Sequence, residues 1–235
     1  MSNIIFDVDD TLYNLMEPFQ KAHEELFAKK TDAECEELFK ASRIYSDEAF
    51  YMVRDGKLAK EDEFAYRIIK TYGDAGITVS REYAKQFEER YRYYQKHIHV
   101  PEKMQEILKY CKENKAVTGV LTNGTAQNQG KKIQVLGLTK WFTEETIFIS
   151  DVIGYTKPNP KAFLAVQEYM KLNPKETWFI GDTFEVDVEG AKSAGWHVIW
   201  FNHRHRLMPE GNIVPDMEVD TAEELYEKIR KLIKE

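Results

Sequence analysis

Short apolar runs alternate with amphipathic stretches along much of this chain, and this alternation restricts the possible folds more than any other feature. Each run passes directly into polar residues, as a strand buried in a parallel sheet does. The runs are residues 4–6, 117–121, 147–149, 178–180 and 198–201. Helical periodicity fills residues 101–114, 125–137, 160–172, 186–194 and 221–233. The pattern predicts an α/β fold with a doubly wound parallel sheet.

One long segment interrupts the alternation. Residues 15–99 contain no strand-like run, and their apolar residues recur at spacings of three and four, as in amphipathic helices. These apolar residues are Leu26, Phe27, Leu38, Phe39, Phe50, Tyr51, Phe64, Ile68, Ile69, Tyr83, Phe87, Tyr91 and Tyr94. We therefore predict an all-helical domain over residues 15–99, inserted into an α/β core domain made of residues 1–14 and 100–235.

The charge and hydropathy of the chain argue against several classes of function. The 235 residues include 33 Lys and Arg against 40 Asp and Glu, a formal net charge of −7, which argues against binding of a nucleic acid polymer. No apolar run approaches the roughly 18 residues of a membrane helix, and the first residues lack the pattern of a signal peptide. Cys35 and Cys111 form neither a disulfide framework nor a metal motif. We expect a cytoplasmic protein, monomeric or homodimeric, with no membrane partner.

Polar residues collect where the predicted strands end. They are Asp7, Asp9, Thr122, Asn123, Asp182 and Asp187, with Lys157 in a loop beside two prolines. Ligands of open α/β sheets bind beyond the carboxyl ends of the strands. Several carboxylates converge in one cleft only if a cation offsets their repulsion, and Mg²⁺ accepts carboxylate oxygens and binds phosphate. The sequence thus predicts Mg²⁺ as a cofactor and a small phosphorylated molecule as substrate.

These residues resemble the four motifs of the haloacid dehalogenase (HAD) superfamily over nearly the whole chain. Residues 7–12 are similar to the first motif, with Asp10 where many members have glycine, and residues 120–124 resemble the second. Lys157-Pro158 resembles the third motif and residues 181–187 the fourth. The resemblance implies a Rossmann-like core, a small helical cap that closes over the site and selects substrate, and Mg²⁺-dependent phosphatase activity.

Each of these residues can be given a chemical role. A carboxylate such as Asp7 can attack phosphorus and form an aspartyl phosphate, and Asp9 can serve as general acid and then as base. The Thr122 hydroxyl and the adjoining backbone N–H groups, at Asn123, suit the phosphoryl oxygens. Lys157 neutralises charge that develops on the nucleophile and the phosphate.

The predicted metal site consists of four aspartates. Asp182 ligates the metal together with Asp7, and the resemblance adds the main-chain carbonyl of Asp9. Asp187 orients either a metal-bound water or Lys157.

Two other enzyme classes share these motifs. A phosphomutase differs only in how its cap excludes water. A 2-haloacid dehalogenase uses a similar nucleophilic aspartate without a metal. Enzymes of that class have no aspartate two residues after the nucleophile, so Asp9 argues against this class. A binding module without catalysis is disfavoured because every acid, base and lysine position is occupied.

The expected substrate is a nucleoside monophosphate. Residues 10–13 and 202–204 resemble the branch of the superfamily that contains pyrimidine nucleotide phosphatases. In that interpretation Arg204 hydrogen-bonds the base and one of Tyr13, Tyr45 or Tyr51 stacks on it. Taken without the resemblance, residues 202–206 are typical of a solvated basic loop.

Overall fold

The short apolar runs form the strands of one parallel sheet in the computed structural model, which describes residues 2–27 and 34–234. The strands are β1 (Asn3–Phe6), β2 (Thr118–Thr122), β3 (Ile147–Ile149), β4 (Thr177–Gly181), β5 (His197–Phe201) and β6 (Met217–Val219). Their order is β3-β2-β1-β4-β5-β6. In the register, Ile5 of β1 pairs with Gly119 on one side and with Phe179 on the other. The predicted α/β fold with a parallel sheet is confirmed.

Helices account for most of the remaining described residues. The α-helices are α1 (Glu17–Leu26), α2 (Cys35–Arg54), α3 (Glu63–Asp74), α4 (Arg81–Gln95), α5 (Glu102–Glu113), α6 (Ala126–Leu136), α7 (Ser150–Ile153), α8 (Pro160–Met170), α9 (Glu189–Ser193) and α10 (Ala222–Lys234). A π-helix, Phe184–Val188, leads into α9. Every helix in the described part of the chain is too short or too polar to span a bilayer.

The chain divides into two compact units. The α/β unit contains Met1–Asn14 and His99–Glu235, and the helical unit is Leu15–Ile98. The second boundary lies one residue before the predicted boundary between residues 99 and 100.

Apolar side chains cover both faces of the sheet, which explains why its strands are continuous apolar runs. On one face Ile5 and Phe179 pack in a buried cluster with Phe163 of α8. The neighbouring strand residues Ile4 and Phe6, whose side chains point to the opposite face, are also fully buried.

The helical unit has a core of its own. Phe19 of α1, Tyr72 of α3 and Phe87 of α4 lie in one buried cluster with Phe27. The rings of Phe27 and Tyr72 stack with their centroids 3.8 Å apart. Phe27 and Phe87 were among the predicted apolar residues, whereas Phe19 and Tyr72 were not.

Two features of the fold depart from the sequence prediction. Strand β6 was not predicted, because Met217–Val219 is only three residues long and contains a glutamate. Phe50 and Tyr51 of α2 were predicted to lie on an apolar helix face, but they are 56% and 53% exposed. That part of the predicted apolar face is wrong.

Candidate active site

Three of the predicted site residues lie at the carboxyl ends of three adjacent strands. Asp7 follows β1 directly, and its backbone N–H donates to the carbonyl oxygen of Ile180 on β4 at 2.8 Å. Thr122 is the last residue of β2, and Asp182 follows the last residue of β4. Because β1 lies between β2 and β4, the three residues share one edge of the sheet.

Lys157 joins two of the predicted carboxylates. Its Nζ donates to Oδ1 of Asp7 and to Oδ1 of Asp187, both at 2.7 Å. All three side chains are buried, with at most 8% of any of them exposed. Burial alone would lower the pKa of Lys157, but the two carboxylates outweigh burial and hold that pKa above its usual value. Lys157 is therefore a permanently charged group in this site.

Three buried carboxylates lie close together around this lysine. Asp7, Asp182 and Asp187 each place one oxygen within 4.8 Å of the others. Burial raises the pKa of Asp7 to about 7. Repulsion from Asp187 adds to this rise, and attraction to Lys157 opposes it. Burial also raises the pKa of Asp182 well above its usual value, and the same neighbouring carboxylates add to the shift. An added cation would relieve both effects.

Asp187 is fixed by the chain around it. Its Oδ1 accepts from Lys157, and its Oδ2 accepts from the backbone N–H of Thr183 at 3.0 Å. A Cβ atom at Gly181 would lie 2.4 Å from Oδ2 of Asp187. Glycine at residue 181 therefore makes room for this carboxylate.

Asp9 lies outside this cluster, in an environment of its own. Lys132 Nζ donates to both of its carboxylate oxygens, at 2.5 and 2.6 Å. Gln129 Nε2 donates to Oδ2 at 2.9 Å and the Tyr13 hydroxyl donates to Oδ1 at 2.6 Å. Burial would raise the pKa of Asp9, but Lys132 and these hydrogen bonds outweigh it and hold that pKa below its usual value. The carboxylate predicted as the acid and base thus favours its ionised form here.

Sequence reasoning missed Lys132 and Gln129. Both lie on α6, three residues apart and so on one helix face. Gln129 Nε2 also donates to the carbonyl oxygen of Asn123 at 2.7 Å. A Cβ atom at Gly124 would lie 2.9 Å from that nitrogen, so glycine leaves space for the amide. The available signal was their three-residue spacing on the helix that follows the second motif.

Thr122 and Asn123 have different surroundings. The Thr122 hydroxyl is buried and has no hydrogen-bond partner among the described residues. The Asn123 side chain instead binds the backbone of Lys157, donating from Nδ2 to the carbonyl oxygen and accepting from the N–H at Oδ1, both at 2.9 Å. Thr122 therefore has an unused hydroxyl, whereas the Asn123 side chain holds the lysine loop in place and leaves only its backbone for a ligand.

Asp10 takes a backbone conformation that suits glycine. Its φ is 60°, in the left-handed region. Its carboxylate is buried and accepts two hydrogen bonds from Arg204, from Nε at 2.9 Å and from Nη2 at 2.7 Å. Arg204 Nη2 also donates to Oδ1 of Asn14 at 2.8 Å. The fork of Arg204 thus stabilises an aspartate in a backbone conformation that favours glycine.

The prediction of a solvated basic loop at residues 202–206 is wrong for Arg204, whereas Arg206 is exposed. The Arg204 side chain is only 13% exposed. Arg206 is exposed, but it donates from Nη1 to Oδ2 of the buried Asp182 at 3.0 Å. Since Asp10 and Asn14 engage the Arg204 guanidinium, the structure gives no support to its expected role in binding a base.

The three predicted stacking residues also lie in different places. Tyr13 is buried, and its hydroxyl binds Asp9. Tyr45 and Tyr51 belong to α2 of the helical unit, where the Tyr45 hydroxyl donates to Asp74 and the Tyr51 ring lies 4.9 Å from the Arg54 guanidinium carbon.

Comparison with known proteins establishes the family. The family model described as haloacid dehalogenase-like hydrolase matches residues 1–195, which include the strand ends that carry Asp7, Thr122 and Asp182. This chain belongs to the HAD-like hydrolases. The match ends before residues 202–206, so the loop that binds Asp10 and Asp182 lies outside it.

Two curated relatives of this HAD-like hydrolase have named activities. Glyceraldehyde 3-phosphate phosphatase of Methanopyrus kandleri is 34% identical over 120 residues, 50% of this chain and 51% of that protein. Pyrimidine 5'-nucleotidase YjjG of Escherichia coli is 33% identical over 117 residues, 49% of this chain and 51% of that protein. The chain thus spans about half the length of these curated relatives.

A solved structure resembles the fold along almost the whole chain. The magnesium-bound HAD-hydrolase YfnB of Bacillus subtilis aligns with a TM-score of 0.67 and 22% identity, covering 97% of this chain and 98% of that one. At this identity the likeness shows that the two proteins share the fold.

Proposed function

We propose that this HAD-like hydrolase is a Mg²⁺-dependent phosphomonoesterase that acts through an aspartyl phosphate on Asp7. The observation that carries the proposal is the buried contact between Asp7 and Lys157, next to Asp182, at the edge of the sheet. A nucleophilic carboxylate needs a fixed neighbouring cation when an anionic phosphate approaches it. The phosphatase and nucleotidase among the relatives support the same reaction class.

The donor set fits Mg²⁺. Asp7, Asp182 and Asp187 offer only carboxylate oxygens, the hard ligands that this ion prefers. In the proposal Asp7 and Asp182 hold the ion together with the carbonyl oxygen of Asp9, and Asp187 orients Lys157. The bound ion would neutralise negative charge at the transferring phosphoryl group.

The reaction proceeds in two displacements. An oxygen of Asp7 attacks phosphorus, and the bond to the ester oxygen breaks, leaving its electron pair on that oxygen, which takes a proton from Asp9. Water then attacks the phosphorus of the aspartyl phosphate and gives a proton to Asp9, and the bond to Asp7 breaks to release phosphate. Because the surroundings of Asp9 favour the ionised form, they match the second step directly. In the first step Asp9 must hold a proton, which requires it to give up at least one of its hydrogen-bond donors.

Phosphoryl oxygens would be bound beside these groups. The Thr122 hydroxyl supports this assignment because it is a buried polar group with an unused hydrogen-bonding capacity. Asn123 contributes its backbone, while its side chain keeps Lys157 in place. Lys157 stabilises charge on Asp7 and on the phosphoryl group during transfer.

The proposed substrate is a small phosphorylated metabolite rather than a nucleic acid polymer, since the chain carries an excess of acidic residues. A nucleoside monophosphate is the substrate class that we favour, supported by the similarity to the pyrimidine 5'-nucleotidase of Escherichia coli. We assign Arg204 no role in binding the base of such a substrate, because its guanidinium binds Asp10.

A phosphatase assay with and without Mg²⁺ tests the proposal. The purified chain should release inorganic phosphate from small phosphomonoesters in the presence of Mg²⁺ and lose this activity in EDTA. The substrate class is tested in the same assay by comparing kcat/KM for uridine and thymidine monophosphates with that for glyceraldehyde 3-phosphate. Equal activity in EDTA refutes the metal assignment. A lower kcat/KM for the nucleotides refutes only the substrate class.

A further inference from the structure

The carboxylate of Asp9 receives four hydrogen bonds from three side chains. Lys132 donates to both oxygens, Gln129 adds a bond to Oδ2 and Tyr13 adds one to Oδ1. A carboxylate without a proton has about four acceptor sites and no donor, so this set of donors matches it fully. The arrangement fixes both the rotation and the direction of the Asp9 side chain.

These donors come from two segments of the α/β unit. Gln129 and Lys132 lie on α6, which begins after Thr125, whose side chain accepts from the N–H of Asn128. Tyr13 returns to Asp9 at the end of a tight turn, where the two residues form an isolated parallel bridge. The Asp9 carboxylate is thereby held between the first-motif loop and a helix that carries none of the other site residues.

We propose that Lys132, assisted by Gln129, is a positioning residue that holds the Asp9 carboxylate for its role as the base in the hydrolysis of the aspartyl phosphate. The proposal rests on the function proposed above. Lys132 Nζ makes a charge-assisted contact with each Asp9 oxygen and is the one cation in the set. Without it the carboxylate keeps two neutral donors and gains freedom to rotate.

Replacement of this lysine should therefore slow the second step rather than the first. In Lys132→Met the side-chain length is retained and the charge is lost, so steady-state kcat should fall by about tenfold or more, within the range that general base catalysis contributes. The fraction of chain carrying a phosphoryl group during turnover should rise, because the intermediate still forms but is hydrolysed slowly. Lys132→Arg preserves the charge and should recover most of the activity.

A matched control is available on the same helix. Lys131 is exposed and adjacent, so Lys131→Met makes the same chemical change outside the proposed site. Thermal unfolding of all variants establishes that the fold is retained. In an Asp9→Asn background, Lys132→Met should change kcat by less than about twofold, because the group that it positions is already inactive.

The experiment is a rapid acid quench of turnover, with the best phosphomonoester of the panel as substrate, that measures both product and covalently bound phosphate. A lower kcat with more phosphorylated chain in Lys132→Met, recovery in Lys132→Arg and no change in Lys131→Met support the inference. If the wild type is active and Lys132→Met has the same kcat and phosphorylated fraction as Lys131→Met, this inference is overturned and the proposed function is not. A lower kcat with less phosphorylated chain also overturns it, since the first step is then impaired. If the wild type hydrolyses no phosphomonoester, the proposed function fails and this inference fails with it.

Discussion

Removal of the Lys157 charge should strongly destabilise the α/β unit. Lys157→Met keeps the volume of the side chain but leaves Asp7 and Asp187 buried without the cation that lies 2.7 Å from each of them. Loss of one partner from a buried ion pair costs about 3–5 kcal/mol of unfolding free energy. We expect a loss of this size near neutral pH in the absence of divalent cations.

The loss should become smaller as the pH falls. Burial raises the pKa of Asp7 to about 7 even though Lys157 opposes the shift, so removal of Lys157 raises that pKa further. A carboxyl group with a raised pKa in the folded state binds more protons than it does in the unfolded chain, and stability then increases on acidification. On acidification the unfolding free energy of Lys157→Met should therefore rise more than that of the wild type.

Urea unfolding in EDTA at about pH 6 and about pH 8 measures both effects through the linear dependence of unfolding free energy on denaturant. Lys161→Met, a change at an exposed lysine at the start of α8, is the control for replacing a lysine by methionine. A deficit for Lys157→Met no larger than that of the control would refute the role of the buried pair. A deficit that is equal at the two pH values would refute the link to carboxyl protonation.

Three further predictions follow from individual contacts. Asp9→Asn should lower kcat by about 10²–10⁴-fold, and in burst kinetics the defect in the first step should shrink for an aryl ester whose leaving group needs no proton. Asp216→Asn should reduce the unfolding free energy at pH 7, and this reduction should shrink as the pH falls below the unfolded pKa of the carboxyl group. Burial would raise the pKa of Asp216, but Lys192 and other donors outweigh burial and lower it, so its contribution is lost as the pH falls through the folded-state pKa. Arg204→Met should cost about 3 kcal/mol in urea unfolding, because it leaves the buried Asp10 carboxylate without its bidentate partner; a cost near zero would contradict this.

Strands β1 to β5 could be predicted because each contains a short apolar run. β1 and β4 are covered on both faces, so residues 4–6 and 178–180 within them are apolar without alternation. The residues at the strand ends followed from the same pattern, since parallel strands bring their carboxyl ends to one edge. Strand β6 could not be found in this way, because it is short and one of its residues, Glu218, is exposed.

Contacts between distant side chains were the part that the sequence did not reveal. Lys132 lies 123 residues from Asp9 along the chain, and its three-residue spacing from Gln129 places the two on one face of α6 without indicating which residue they bind. Arg204 lies 194 residues from Asp10, and five polar residues in succession are more typical of a solvated loop than of a buried ion pair. Only the sheet order brings these residues together.

In the proposed mechanism Asp7 becomes phosphorylated during turnover. The most direct measurement is an acid quench during hydrolysis of the best phosphomonoester, followed by mass spectrometry of the peptide that contains Asp7. We predict one phosphoryl group on Asp7 in the presence of Mg²⁺ and none in EDTA or in Asp7→Asn, which should lose nearly all turnover. Turnover with Asp7 unmodified at every quench time, together with an Asp7→Asn variant that retains about a tenth or more of wild-type activity, would contradict the claim.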